Sequence, residues 1–568
     1  MRVSDYIVSF FIEKGITDVF GYPGGMVTYL MESFSKQKTK INAHVCYHEQ
    51  AAAFAACGYA QTSLKPGFAY VTSGPGATNL ITGIANAYFD SIPTIFISGQ
   101  VNTYESKGNL PLRQKGFQEM DVVSIVESIT KYAVQVDDEK DIRHCLEKAY
   151  CLAVSGRPGP VLLDIPMNIQ RAEIEPNELR GFEGIQAKQN DASFVAKKIY
   201  EALKNAKRPC VLAGAGVNSS GCGDVFVEWA SGLKIPVVSS MIAIDVLPNS
   251  PYYLGFVGAY GHRQANFIVS KSDLVISLGS RLDLRQTGVA KDRFATNANL
   301  LRVDVDSAEL THKIKEEESS YLVDLKELMP ALMDGYTDIL DYGAWLKVCN
   351  EIKTKLQHID DQDSNTIIKK ISGLIDKDMV VTTDVGQNQV WVAQSFVSKG
   401  QRILFTGGHG AMGYSLPAAI GAYYGSGKKV VSFNGDGGFQ MNIQELQYVA
   451  REQLPIKIIL LNNHSLGMIR HFQEMYFGAN YTQTKKQTGY TLPNFGEISK
   501  AYGIPYLNVT PQCDLEGVQT HLNNSGPALI EISLNEDTYV FPKLAMDKPC
   551  HDQEPELDRL LFEYLNSL

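Results

Sequence analysis

Between Val431 and Asn463 the sequence sets a lone carboxylate, Asp436, between Gly435 and Gly437, and an Asn pair, Asn462-Asn463, at the end of the next apolar run. Read as strand, turn, helix and strand, the acidic turn closes "KVVSFNG" and the Asn pair closes "IKIILLNN". Both then lie at the carboxyl ends of strands, the edge along which open α/β sheets bind ligands. A carboxylate and an amide oxygen are hard donors that suit Mg2+, which usually keeps phosphate oxygens in its shell. Flanking glycines allow close approach, so Asp436 and Asn463 predict a clamp for a magnesium diphosphate. The other common phosphate loop is excluded: Gly427-Lys428-Lys429 lacks the hydroxyl residue that GxxxxGK[ST] requires. A second carboxylate, Glu49, follows "NAHVCY" and opens an Ala-rich helical stretch. Taken alone, a Glu in a first helical turn is a favourable partner of the helix dipole.

Two glycine loops repeat one pattern. "TSGPGA" (72–77) and "TGGHGA" (406–411) each follow a strand and open a helix. Two related units facing one shared site would give this echo, and so would two unrelated turns. A third loop, in "CVLAGAGVNSSG" (210–221), reads GxGxxxxG and misses the dinucleotide fingerprint GxGxxG.

The elements that must position these groups are short Val- and Ile-rich runs alternating with helical patterns, as in "IPTIFISG", "GPVLLDIP" and "SDLVISLGS". Strands buried on both faces read this way, so parallel sheets covered by helices are expected. Polar stretches at 168–193 and 313–320 read as a linker and a solvated charge run. They divide the chain into three doubly wound α/β units, 1–168, 190–330 and 360–540, followed by a polar tail and a last amphipathic helix. A chain of 568 residues suits that count. The net charge of −10, with no basic stripe, argues against nucleic acid. No apolar run is long enough to span a bilayer. The opening "MRVSDYIVSFFIEKGI" carries Asp5, Glu13 and Lys14 and reads as an amphipathic helix, not a signal peptide. Nine cysteines, scattered without CxxC, predict a reduced, cytoplasmic protein.

The GDG and NN pair resembles the cofactor motif of thiamine-diphosphate (ThDP) enzymes. "GYPGG" (21–25), "HEQAAAFAACGYA" (48–60), "FQEMD" (117–121), "DVGQNQVW" (384–391), "HGAMGYSLPAAIGA" (409–422) and "NNHSLGMIRHFQEMYF" (462–477) look like acetolactate synthase catalytic subunits. The resemblance runs along nearly the whole chain. It implies the three-domain ThDP-binding fold: a pyrimidine-binding unit, a central unit and a diphosphate-binding unit. It implies that Glu49 bonds the cofactor's pyrimidine ring and drives loss of the thiazolium proton, with Gln118 as a second catalytic residue. Gly24, Gly25, Gly386, Gln387, Asn388, Gly435, Gly437 and the Gly410 carbonyl would contact the cofactor, with Met412 beneath it. Asp436, Asn463 and Ser465 would bind Mg2+. "SLGSRLDLRQTG" (277–288) and "LLRVDVDSAEL" (300–310) look like flavin-contacting segments, so Gly214, Gly216, Arg281 and Asp304 are the candidate FAD residues. The implied reaction removes CO2 from pyruvate and joins the two-carbon unit to a ketone. The implied assembly is a homo-oligomer, a dimer or tetramer, with each site shared between subunits. A simple 2-oxo acid decarboxylase or oxidase is the alternative chemistry.

Three departures concern the acceptor. Phe472 stands where acetolactate synthases usually carry Trp, Ala259-Tyr260 where they carry Met-His, and the link 102–116 is long and holds Lys107, Arg113 and Lys115. Arg113 and Phe472 are therefore the candidate acceptor-pocket residues. The acceptor is a second 2-oxo acid or, as in a flavin-containing sugar-modifying branch, a nucleotide-linked keto deoxysugar.

Overall fold

The structure, a computed structural model, describes residues 1–568 except 185–188, 336–339 and 546–547. Part of the polar stretch expected at 168–193 thus lies outside the described residues. Three parallel six-stranded sheets follow one another along the chain. The first runs, edge to edge, Asn42–Val45, Asp18–Gly21, Gly67–Val71, Thr94–Gln100, Pro160–Pro166, Tyr132–Gln135. The second runs Ser319–Leu322, Asn299–Asp304, Leu274–Leu278, Pro209–Ala213, Val237–Ser239, Tyr253–Phe256. The third runs Arg402–Leu404, Val380–Thr383, Val430–Gly435, Ile456–Asn462, Ala528–Ser533, Tyr506–Val509. In each sheet the strand order reverses next to the strand that starts the unit, and the chain leaves a crevice there at the carboxyl ends.

The inner strands read as continuous apolar runs because helices cover both faces. Every residue of Thr94–Gln100 and of Ile456–Asn462 is buried. Helix Glu49–Ser63 is rich in Ala for another reason. It packs against helix Ser415–Ser426 of the third unit, and the two backbones all but touch. A Cβ on Gly58 would stand 2.0 Å from the Ala418 carbonyl oxygen, and one on Gly421 1.7 Å from that of Ala55. One buried apolar cluster therefore runs without a break from the first unit into the third, through Phe54, Tyr59, Tyr414 and Ile420.

One sequence expectation changes, and one is met with a packing partner added. The charge run at 313–320 is not wholly solvated. Ser319–Leu322 is an edge strand of the central sheet, and the Glu318 side chain is fully buried against Arg302 at 2.9 Å. The last helix, Arg559–Ser567, returns to the central unit and buries Leu565 in its core.

Candidate active site

The crevice of the third sheet gathers the diphosphate candidates. Strand Val380–Thr383 leads into Gly386, whose φ of +122° is a conformation an L side chain rarely adopts. Helix Gln387–Ser395 starts there, so its free N–H groups point out of the crevice edge, an anion-favouring arrangement. Asp436 follows the neighbouring strand and is 3% exposed. Its oxygens accept the N–H of Gly437 at 2.7 Å, the N–H of Ser465 at 3.2 Å and the Tyr490 hydroxyl at 3.2 Å. Burial pushes the Asp436 carboxyl up to about 7, against the pull of those donors. A cation at its oxygens would keep it ionised.

The Asn pair divides its work. Asn462 builds the turn: its Oδ1 accepts the His464 N–H at 3.0 Å and its Nδ2 donates to Glu531 at 2.7 Å. Asn463 turns the other way. Its Nδ2 donates to Gln387 Oε1 at 2.8 Å, which fixes the amide and leaves Oδ1 for a ligand. Ser465 Oγ is buried without a hydrogen-bond partner. Among the described residues no cluster of three or more His, Cys, Asp or Glu could hold a metal. The donor set here is instead one carboxylate, one amide oxygen and the oxygens of Ser465, hard donors that fit Mg2+ with phosphate completing its shell. Asn388 lies beside Gly435, its Nδ2 3.1 Å from where a Cβ there would stand. Met412 Cε lies 3.2 Å from the corresponding position on Gly437.

Asp384 is the residue that sequence reading passed over. It accepts N–H groups from Val385, Gly413 and Ser415 at 2.8, 3.0 and 3.2 Å. It thereby ties the loop carrying Gly410 and Met412 to the loop carrying Gly386. Full burial raises its carboxyl to about 7. An Asp at a strand end was visible in "DVGQNQVW", but nothing there distinguishes an anchor of backbone N–H groups from a surface carboxylate.

In the first unit Glu49 is 9% exposed and accepts from Asn79 Nδ2 at 2.9 Å. Gly76 lies against it, with a Cβ there 3.4 Å from Oε1. Gly24 packs on Thr72, and the Met26 N–H donates to Thr72 Oγ1 at 3.2 Å, so "GYPGG" rests on the 72–77 loop. Gln118 stands over that loop with a φ of +65°, a strained value of the kind that collects at functional sites. Among the described residues no hydrogen bond joins Glu49 to Asp436, Asn463 or Met412.

The candidate FAD residues sit at the crevice of the central sheet, between strands Pro209–Ala213 and Leu274–Leu278. Gly216, Arg281 and Asp304 line a cleft with about 1290 Å³ of space between atoms, open to solvent. Gly214 packs behind it, where a Cβ would stand 2.0 Å from the Gly279 carbonyl oxygen. Phe89 and Arg157 of the first unit and Gly407 of the third also line the cleft. Ser240, on the same wall, has a buried hydroxyl without a partner. Burial raises the Asp304 carboxyl. A glycine-lined cleft at a switch point, with a free hydroxyl and a carboxylate for ribose hydroxyls, fits a dinucleotide.

The acceptor candidates fall apart in one chain. Phe472 is half-exposed on helix Gly467–Tyr476 and packs on Tyr476, ring centres 4.6 Å apart. Arg113 is exposed in the 102–116 link. The link is held from inside by Glu119, which accepts the N–H of Lys107, Lys115 and Gly116 and the Ser106 hydroxyl. The amines of Lys107 and Lys115 donate to the link's own carbonyls, Leu112 and Tyr104.

Known proteins agree with this geometry. Residues 1–125, 196–332 and 384–532 match, in that order, the N-terminal TPP binding, central and C-terminal TPP binding domains of thiamine pyrophosphate enzymes. The acetolactate synthase isozyme 2 large subunit of Escherichia coli is 35% identical over 95% of this chain and 97% of its own length. The acetolactate synthase large subunit of Lactococcus lactis is 36% identical over 94% and 92%. The chloroplastic acetolactate synthase of Arabidopsis thaliana is 36% identical over 98% and 84%. The chain belongs to the ThDP-dependent acetolactate synthase family.

Proposed function

We propose that this chain decarboxylates pyruvate and joins the two-carbon unit to a second 2-oxo acid, with ThDP, Mg2+ and FAD as its cofactors. The observation that carries the reading is the paired crevice of the third sheet. Asp436 and a fixed Asn463 stand at neighbouring strand ends beside the start of helix Gln387–Ser395. ThDP, when bound, supplies the electron sink that stabilises negative charge on the donor carbon. The chain supplies the rest. Asp436, Asn463 and Ser465 would hold Mg2+. Gln387 orients Asn463. Gly410 presents its carbonyl, and Met412 a thioether surface, to the cofactor. Glu49 would hold and release a proton at its carboxylate, and Asn79 orients that carboxylate. The central cleft would hold FAD through Gly216, Arg281 and Asp304.

The functional unit is a dimer in which Glu49 of one subunit meets Asp436 of another, a reading suggested by the repeated "TSGPGA" and "TGGHGA" loops of the first and third units. Apolar side chains stand exposed in the first and third units: Phe117 is 78% exposed and Phe477 60%. A second copy would cover them. The keto-sugar acceptor is not favoured. Arg113, the residue expected to pair with the sugar nucleotide's phosphates, stays exposed in the link, but the three named relatives are acetolactate synthases along their length. A decarboxylase or oxidase is not favoured either, since all three named relatives are acetolactate synthases along their length.

The test is product analysis of purified protein with pyruvate, ThDP, Mg2+ and FAD. Acetolactate formed in step with CO2 is expected. Acetaldehyde or acetyl phosphate as the only product would overturn the reading.

A further inference from the structure

Two carboxylates away from the Asp436 crevice, the part-buried Asp90 and the buried Glu445, face each other's units across the seam between the first and third, and Asp90 also lines the central cleft. Asp90 caps the end of helix Pro75–Phe89 in the first unit. Its oxygens accept the N–H of Gly407, 3.1 Å from each, and the N–H of Gly408 at 2.6 Å. The same helix end adds two contacts: Asn86 Oδ1 accepts the Thr406 hydroxyl at 2.5 Å, and Phe89 stacks on His409 at 5.8 Å. The gripped segment, 406–409, runs directly into Gly410.

Glu445 answers from the third unit. It is 0% exposed, and its Oε1 accepts the Tyr47 N–H at 2.9 Å. The His48 N–H also points at it. This segment runs directly into Glu49. Its second oxygen, Oε2, is buried without a hydrogen-bond partner. Among the described residues neither Asp90 nor Glu445 forms an ion pair. Burial pushes Asp90 up to about 6 and Glu445 up to about 8. Burying a carboxyl group without a cation is costly, and packing alone does not require it. A carboxyl group that accepts successive N–H groups fixes the direction of those peptide planes. In both places the catalytic residue lies one or two peptides further on.

We propose that Asp90 and Glu445 are reciprocal positioning residues: Asp90 sets the Gly410 carbonyl, Glu445 sets the Glu49 carboxylate, and each acts from the opposite unit. The proposal rests on the roles of Glu49 and Gly410 given above. The two braces act on different steps. Loss of the Asp90 brace moves a group that holds ThDP. Loss of the Glu445 brace moves the group that exchanges the proton.

The experiment begins with the wild type, whose turnover of pyruvate tests the function independently. It then measures ThDP affinity by calorimetry and thiazolium proton exchange by NMR in the holoenzyme. Asp90→Ala should weaken ThDP binding roughly 10–100-fold, the scale expected for a displaced site group. Glu445→Met should slow proton exchange by roughly the same factor while ThDP affinity stays within about threefold of wild type. Asp90→Asn and Glu445→Gln keep an acceptor oxygen and should recover most of each loss. Equal losses of affinity and exchange in both disruptive variants, no loss in either, or no recovery in the conservative ones would overturn the proposal. Should a disruptive variant fail to fold, Asp90→Ser or Glu445→Leu is measured in its place, together with amide hydrogen exchange. Faster exchange at 407–408 or at 47–48 must then accompany loss of the matching step, and a loss without it, or no loss, overturns the brace.

Discussion

At the scale of single residues, the proposed chemistry rests on two carboxylates with different surroundings. Glu49 has one side-chain donor, Asn79, and opens an Ala-rich, almost wholly buried helix. Glu49→Gln keeps its shape and removes the proton exchange. The variant should fold, bind ThDP and lose most of its activity, about 10²–10⁴-fold for a lost acid-base group. Thiazolium proton exchange at the wild-type rate would sink the assignment. With Asp436 as the proposed charged metal ligand, Asp436→Ala should abolish tight ThDP binding at practical Mg2+ levels, and chelation of the wild type should do the same. Calorimetry that finds full affinity in either case would rule out the clamp. Asp436 and Asn463 were legible in the sequence because hard donors, flanking glycines and apolar strands occur together there. Asp384 and Glu119 were not. Each works by accepting backbone N–H groups from loops distant or irregular in sequence, and no local pattern marks such a partner.

Among the elements, the Val- and Ile-rich strands announced parallel sheets, and those sheets put every motif at a carboxyl edge. The charge run at 313–320 misled because its reading was local. Glu318 accepts the N–H of Ile314 and Lys315 at 2.9 and 3.1 Å as well as Arg302, and so pins the edge strand to the central sheet. Burial pushes the Glu318 carboxyl up, but those N–H groups and the Arg302 guanidinium outweigh it and hold it below the ordinary range. A depressed carboxylate adds stability that is present above its ordinary pKa of 4.5 and lost as pH falls through the folded value. Glu318→Gln leaves Arg302 buried and unpaired, at a cost of about 3 kcal/mol. Thermal unfolding should show that deficit at neutral pH and its narrowing in acid. A deficit independent of pH would mean that the ion pair contributes nothing.

For the whole molecule, the helix seam decides what one chain can do alone. Gly58 and Gly421 bring helices Glu49–Ser63 and Ser415–Ser426 into backbone contact, so the first and third units are locked in one orientation. In that orientation Glu49 bonds within its own unit, and the Asp436 crevice closes on Ser465 and Tyr490 of its own. The echo of "TSGPGA" and "TGGHGA" hinted at two related halves, yet it could not say whether they meet within a chain or between chains. That depends on glycine contacts hundreds of residues apart. If each site takes Glu49 from one subunit and Asp436 from another, two defects can complement. Subunits carrying Glu49→Gln and subunits carrying Asp436→Ala are each inactive. A heterodimer of the two has one site with both defects and one with neither. Random exchange makes half of the dimers mixed, with one good site in two, so about a quarter of wild-type activity should return if sites act independently. Exchange is verified first with two distinguishable tags. No recovery after proven exchange would place both groups in one chain and sink the shared site.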